Sequence, residues 1–490
     1  MPDVRIAIVD NGVDEVFLKK PLEYKVLITE DGDCIPDNSD MEHVSFLHGT
    51  TCAQIIEKYF PEGNLSSVKV LDEKGTGLLT KLRPAMEWCL QNQINILNVS
   101  LGSMHFQDRD QIRTLINEYA VKGLIVIAAT ANSGYVSYPA ALSHVIGVAI
   151  DRDAYNDFTG NGHLGIDVLV PGEQELISGE KKITAQKSNS YAAPYITALI
   201  GKLAMEKPMI NIYIAKLALA SIIEEHKVYL SPVYEEPDWI HNALIKTTGR
   251  KSRAEYYFNA VDEKAVEEMR HADVIHSIDT VVIDDLSKVE GGSFNNKNII
   301  YLGKEKVKQP NTNKFFWSSE NRLKQILNRE HIEIEAEMEH ELKIPVILCE
   351  WKDEIDEMFL LSQLKKSFGK GGYYLYTISF CAESVLYDLE YIPEEVLEEK
   401  YISSLYRFIY WQTHYKQNDA VLIGSPLYFG KQKLCLQDKI DLKITLERCE
   451  IGYRTLFLYE DIAVGDVRSP EIDTEYIQTI FRKIREVLGE

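Results

Sequence analysis

The first 205 residues alternate continuous Val/Ile-rich runs with amphipathic stretches. "VRIAIVD", "SVKVL", "INILNVSL", "GLIVIAAT", "VIGVAI" and "IDVLVPG" are apolar with little polar alternation, and segments such as "KLRPAMEWCLQNQ" and "DQIRTLINEYAVK" carry helical periodicity between them. Strands apolar on both faces and separated by helices predict a parallel sheet with helices on both sides. Two further helices are predicted at "APYITALIGKLAMEK" and "INIYIAKLALASIIEEH". Residues 226 to 272 read as more polar and irregular. A second α/β pattern then begins at "DTVVIDDL" and runs through "NIIYLGK", "IPVILCEW", the helix "DEIDEMFLLSQLKKSF", "YYLYTISF" and "DAVLIGSPL" to a closing helix "EYIQTIFRKIREVLG". The expected class is α/β throughout, with a first domain over residues 1–265 and a second α/β region over 273–490.

Composition narrows the function classes. At 490 residues the chain exceeds what one ordinary core serves. Its 53 Lys and Arg against 75 Asp and Glu give a net charge of −22, which argues against nucleic acid as a partner. The seven cysteines (34, 52, 89, 349, 381, 435 and 449) are odd in number and form no C-x-x-C pair. That speaks against a disulfide framework or a structural zinc site and fits a reducing compartment. The N-terminus shows no signal-peptide pattern, and no stretch approaches the roughly 20 apolar residues that span a bilayer. A cytoplasmic location without a membrane partner is expected.

Candidate chemistry collects where strands end and helices begin. In "QKSNSYAAPYITALIG" (186–201), Ser190 opens a helix either as its N-cap or as a nucleophile near the backbone donors of a helix N-terminus. The proline that follows is tolerated in a first turn, where its missing N–H has no partner in any case. Asp10 follows "VRIAIV", His48 lies in "FLHGTTCAQII", and Asn132 follows "LIVIAATA". Taken singly, these read as a turn aspartate, a helix-end histidine and an Asx turn. Taken together they supply what a hydroxyl nucleophile needs: a base, a carboxylate to orient the base, and a donor for the oxyanion.

Six stretches, "AIVDNGVD", "HGTTCAQII", "ILNVSLGS", "VIAATANSG", "VLVPG" and "SNSYAAP", carry a resemblance of the first roughly 260 residues to the subtilisin-like (subtilase) serine proteases. The resemblance implies a subtilisin-like parallel sheet, with Asp10 as orienter, His48 as general base and then acid, and Ser190 as nucleophile. It implies an oxyanion hole made by Asn132 and the Ser190 backbone N–H. Ser100, Leu101 and Gly102 would form one wall of a substrate channel, and Gly75, Thr76 and Gly77 of "EKGTGLL" the other. Cys52, near the histidine, reads as a small buried filler whose modification would crowd His48. The family usually carries Gly-Thr-Ser-Met at the nucleophile, where this chain has Ser188-Asn189-Ser190-Tyr191. Tyr191 is therefore expected to reshape the pocket behind the nucleophile and to touch substrate. The Asp10 strand begins almost at Met1, leaving no room for an inhibitory prodomain, so control is expected from a narrow site or from the C-terminal half.

The C-terminal half offers no catalytic set. "FGKGGYY" (368–374) follows a helix and precedes a strand, the reverse of a phosphate-binding loop, so it reads as a helix C-cap. "LIGSPL" (422–427) reads as a strand ending in a Gly-Ser-Pro turn, and the acidic "EIEAEMEHE" as a solvated face. "IPVILCEWKDEIDEMFLLSQLKKSFGKGGYYLYTIS" and "YKQNDAVLIGSPL" resemble accessory proteins of clostridial systems that mature small ribosomal peptides. That resemblance implies a peptide substrate, a precursor with a leader, and peptide-modifying enzymes as partners. The expectation is an intracellular serine endopeptidase removing such a leader. A catalytically silent peptide-binding scaffold and a general degradative protease stay open as alternatives. No cofactor is expected; the resemblance leaves calcium open, which is common in the family, but no ligand pattern in the sequence supports it.

Overall fold

The structure, a computed structural model, describes residues 3–38, 47–150, 165–170, 172–178, 181–185, 187–222, 236–249, 251–262, 277–289, 297–306, 314–327, 342–426 and 439–489. The acidic stretch 333–341 lies outside the described residues. The chain divides into two compact units, Met1–Trp239 and Ile240–Glu490.

The first unit is built on strands β1 (Arg5–Asp10), β2 (Tyr24–Ile28), β3 (Cys34–Pro36), β4 (Asn64–Lys69), β5 (Ile96–Val99), β6 (Ile125–Ala129), β7 (Val145–Ile150) and β8 (Val168–Val170). They form one sheet in the order β3-β2-β4-β1-β5-β6-β7-β8. All pairings are parallel except that of β2 with β3. Every residue of β5, β6 and β7 is buried. A sheet with one wet face would alternate, so helices cover both sides, as the continuous apolar runs predict. Among the described residues this unit carries helices α1 (His48–Tyr59), α2 (Leu82–Gln91), α3 (Phe106–Val121), α4 (Asn189–Glu206) and α5 (Ile212–Ile222). Ala53, Ile56 and Phe60 at α1 and Ala192, Ile196, Ile200 and Leu203 on α4 pack with Ile6, Ile8, Ile127 and Ile146 in one core. A hairpin of β9 (Gln174–Ser178) and β10 (Lys181–Ala185) stands apart from the main sheet.

The strand order fixes where a site can form. From β1 the chain moves to one side through β2 and β4, then returns across β1 to place β5 on its other side. That reversal makes the carboxyl end of β1 a topological switch point, where loops diverge and leave a crevice. Asp10 is the last residue of β1.

In the second unit, β11 (Asn242–Lys246), β12 (Asn259–Asp262), β13 (Thr280–Ile283), β14 (Asn298–Tyr301) and β15 (Lys314–Trp317) form an all-parallel sheet in the order β12-β11-β13-β14-β15. Residues 242–262 read as irregular from the sequence, but they hold two strands of this sheet. "NALIK" has only three apolar residues in a row, and its parallel partners are supplied by later segments. A seven-stranded sheet follows, made of β16 (Val346–Trp351), β17 (Leu375–Ser379), β18 (Glu390–Tyr391), β19 (Ala420–Pro426), β20 (Leu442–Cys449), β21 (Gly452–Tyr459) and β22 (Ile462–Ser469). The described residues of this unit also hold helices α6 (Ser318–Leu327), α7 (Glu357–Lys370), α8 (Ile402–Tyr415) and α9 (Thr474–Leu488).

Helix α7 ends at the "FGKGGYY" glycines, with Gly371 as C-cap, before β17 begins. "LIGSPL" differs from its reading as a turn, because β19 continues through Gly424 and Ser425 to Pro426. A Cβ at Gly424 would stand 2.6 Å from Leu361 on α7, so the glycine serves close strand–helix packing rather than a bend. No helix among the described residues is long and apolar enough to cross a membrane.

Candidate active site

Asp10 ends β1 at 1% exposure, and its Oδ1 accepts the backbone N–H of Asn11 at 2.8 Å. The other carboxylate oxygen lies 2.8 Å from Nδ1 of His48, the first residue of α1. The close approach of β1 and α1 depends on Gly49. Its backbone N–H donates to Asn11 Oδ1, and a Cβ there would stand 2.4 Å from the carbonyl oxygen of Gly12. Burial disfavours the His48 imidazolium, but hydrogen bonds and charge interactions with Asp10 and Cys52 outweigh it. The ring pKa is held well above its ordinary value. With Oδ2 of Asp10 as acceptor, Nδ1 carries its proton in either charge state, and only the neutral ring leaves the Nε2 lone pair for another partner.

Helix α4 begins differently from the sequence reading. Its N-cap is Ser188, in extended conformation, and Asn189 is its first residue, so Ser190 stands inside the first turn rather than at the cap. Pro194 is consequently the sixth helical residue, past the first turn. A proline there cannot donate to the carbonyl four residues back, which is that of Ser190. Ser100 Oγ supplies a donor at 3.3 Å and Cys52 Sγ a weaker one at 3.8 Å. Ser100 Oγ in turn accepts from Asn98 Nδ2 at 3.2 Å. The Ser190 hydroxyl forms no hydrogen bond with the His48 ring among the described residues; such contacts often tighten only when substrate is bound.

Asn132 follows β6 and reaches the same loop. Its Oδ1 accepts the Asn189 backbone N–H at 3.1 Å, which fixes the orientation of the amide and directs Nδ2 at Ser188 Oγ, 3.4 Å away. Asn189 itself is fully buried. Its Oδ1 accepts from the Ile150 N–H at 3.0 Å, and its Nδ2 donates to Thr130 Oγ1 at 3.0 Å and to the carbonyl of Ala131 at 3.1 Å. This side chain ties the start of α4 to the ends of β6 and β7. Sequence reasoning missed it, because an asparagine between two serines looks like any polar loop residue and its partners lie 39 to 59 positions away.

Asp10 and His48 open onto a groove of about 690 Å³. One wall is Ser100, Leu101 and Gly102, and the other is Gly75, Thr76 and Gly77. The second wall is a turn pinned by Asp72, whose carboxylate accepts the N–H groups of Lys74 and Thr76. Tyr191 does not line this groove. Its ring stacks on His48 with centroids 5.1 Å apart and planes at 25°, and the residue also packs against a small cluster formed by Ile55 and Leu176. Cys52 is fully buried beneath the histidine, 3.9 Å from Nδ1. Asp10, His48 and Cys52 bring three ligand atoms within 4.8 Å of one another, a mixed O, N, S set of the kind a zinc-like ion takes.

A model of the subtilase family matches residues 2–226. The chain is similar to minor extracellular protease Epr of Bacillus subtilis (strain 168), 26% identical over 216 residues that cover 42% of this chain and 33% of Epr. It is 24% identical over 225 residues to subtilisin amylosacchariticus of Bacillus subtilis subsp. amylosacchariticus, covering 42% of this chain and 56% of that one. The chain thus spans between a third and just over half of the length of these curated relatives. Among solved structures, sphericase aligns with a TM-score of 0.37 at 20% identity, over 45% of this chain and 85% of its own. A lanthipeptide protease aligns with a TM-score of 0.36 at 20% identity, over 44% and 78%. Residues 2–226, which hold Asp10, His48, Asn132 and Ser190 at the carboxyl ends of a parallel sheet, are a domain of the subtilase family.

Proposed function

We propose that this chain is an intracellular serine endopeptidase that removes the leader from a ribosomally made, modified precursor peptide. The observation that carries the catalytic part is the 2.8 Å bond between buried Asp10 and His48, which line the groove together with Ser100, the residue whose Oγ donates to the Ser190 carbonyl. In this reading Ser190 Oγ attacks the scissile carbonyl carbon while His48 Nε2 takes its proton. The imidazolium so formed is stabilised by Asp10 and then protonates the leaving amine. Asn132 Nδ2 and the Ser190 N–H stabilise the oxyanion. Water, deprotonated by the same histidine, releases the acyl group.

An extended peptide suits the groove. Among the described residues, no backbone hydrogen bond occupies Leu101 or Gly102, so a substrate strand can pair with them between the two walls. The maturation reading is supported by the resemblance of the 344–379 and 415–427 stretches to peptide-maturation proteins. The intracellular reading is supported by six described cysteines that are all free thiols. The test is labelling of the full chain with a fluorophosphonate probe, the adduct located by mass spectrometry. Modification of Ser190, and its loss in Ser190→Ala, is the expected outcome. Absence of labelling in a folded chain returns the groove to a peptide-holding scaffold.

A further inference from the structure

Both donors assigned above to the oxyanion hole point at one atom of this chain. The Ser190 backbone N–H donates to Ser188 Oγ at 3.3 Å, and Asn132 Nδ2 donates to the same Oγ at 3.4 Å. We propose that the Ser188 hydroxyl occupies the oxyanion hole in the resting site, as an internal stand-in for the substrate oxygen that must swing away before Ser190 can react. This inference rests on the reading of Asn132 and Ser190 given under the proposed function.

The geometry explains why a hydroxyl arrives there. Ser188 is the N-cap of α4, with φ −147° and ψ 144°. In that conformation a serine side chain folds back onto the N–H two residues on, which is the Ser190 N–H. Asn132 is held to the same spot because its Oδ1 is committed to the Asn189 N–H. The cap and the hole therefore use the same donors, and a substrate carbonyl has to compete with the cap. Both contacts are longer than the usual N–H···O range of about 2.7–3.2 Å, and Ser188 is partly exposed. Rotation about its Cα–Cβ bond thus releases the donors without moving the backbone. A neutral hydroxyl is a weaker acceptor than a developing oxyanion. The exchange accordingly favours the transition state over the ground state and imposes a modest brake on turnover.

The experiment compares full-length wild type with Ser188→Gly, Ser188→Ala and Ser188→Thr. It reads the second-order rate of fluorophosphonate labelling, whose phosphoryl oxygen enters the hole, together with Tm. Ser188→Gly and Ser188→Ala are expected to label about 3- to 10-fold faster, the effect of removing one or two weak neutral hydrogen bonds. Ser188→Thr keeps the hydroxyl and stays within about twofold of wild type. Ser188→Ala also loses the cap and melts lower, so rate and stability move in opposite directions; a purely structural serine would lower both. If wild type labels and the Gly and Ala variants label no faster, the stand-in role is overturned and the protease reading survives. If neither wild type nor any folded variant labels, the protease reading falls and takes this inference with it.

Discussion

Replacing Tyr191 by leucine tests how the base is tuned. The phenol ring lies almost flat on His48, at 5.1 Å and 25°. During proton transfer the imidazole becomes a cation, and an aromatic face within about 6 Å of a cation stabilises it by roughly 0.5–1 kcal/mol in water and about 2 when desolvated. The His48 side chain keeps 31% of its surface exposed, between those limits, so about 1 kcal/mol is the reasonable figure. At 1.36 kcal/mol per pKa unit this corresponds to roughly 0.7 units. Tyr191→Leu should therefore move the acid limb of the kcat/KM against pH profile down by about 0.7 units and slow the alkaline plateau about fivefold. Tyr191→Phe keeps the ring and should match wild type in both. The assay is hydrolysis of a chromogenic peptide anilide followed across the acid limb and onto its alkaline plateau, with Tm recorded for each variant. An unshifted acid limb in a folded Tyr191→Leu protein would refute the stacking argument, whatever happened to the rate.

Three further outcomes follow from the same site. Asp10→Asn offers His48 an amide that favours the wrong tautomer, and kcat should fall by about 10⁴, the loss known for this change in a Ser-His-Asp triad, measured with the same anilide. Because the His48 pKa is raised in the folded state, its ionisation contributes stability that is complete below the ordinary imidazole value of about 6.5. That stability is lost as pH rises through the folded-state value, so the wild-type Tm should decline on the alkaline side more than that of Asp10→Asn; parallel pH–Tm curves would contradict it. Cys52 is buried under His48, so alkylation should be slow and should abolish activity once complete; full activity after modification proven by mass spectrometry would exclude crowding of the base.

The main sheet of the first unit was legible because most of its strands, such as "RIAIVD", "IVIAA" and "VIGVAI", are apolar runs that leave little choice but a strand buried on both faces. β2 and β3 escaped notice, since "YKVLI" and "CIP" are short and half-buried, with no run long enough to stand out. β20 and β22 escaped for a related reason: their exposed faces carry charges that break the apolar pattern. Asp10, His48, Asn132 and Ser190 could be picked out because each stands at a strand or helix terminus, where polar residues are conspicuous after apolar ones. What the chain hid was which of two serines caps α4. Ser188 and Ser190 are both competent, and only the register of the helix, set by Asn189 buried against β6 and β7, decides between them. The same ambiguity moved Pro194 from a tolerated first-turn position to one that removes a helical hydrogen bond.

That displaced bond joins two parts that would otherwise be independent. The carbonyl Pro194 leaves without a helical donor is the one that Ser100 holds, and Ser100 belongs to the groove wall. With an ordinary residue at 194 that carbonyl would be shared between a helical N–H and Ser100, and the wall would be its less exclusive partner. Here a shift of the 100–102 segment pulls on the backbone of residue 190 itself. On the proposed assignment of Ser190 as nucleophile and 100–102 as substrate wall, selectivity and reactivity are linked through that bond, and loop changes meant to broaden the choice of peptide are expected to carry a cost in rate.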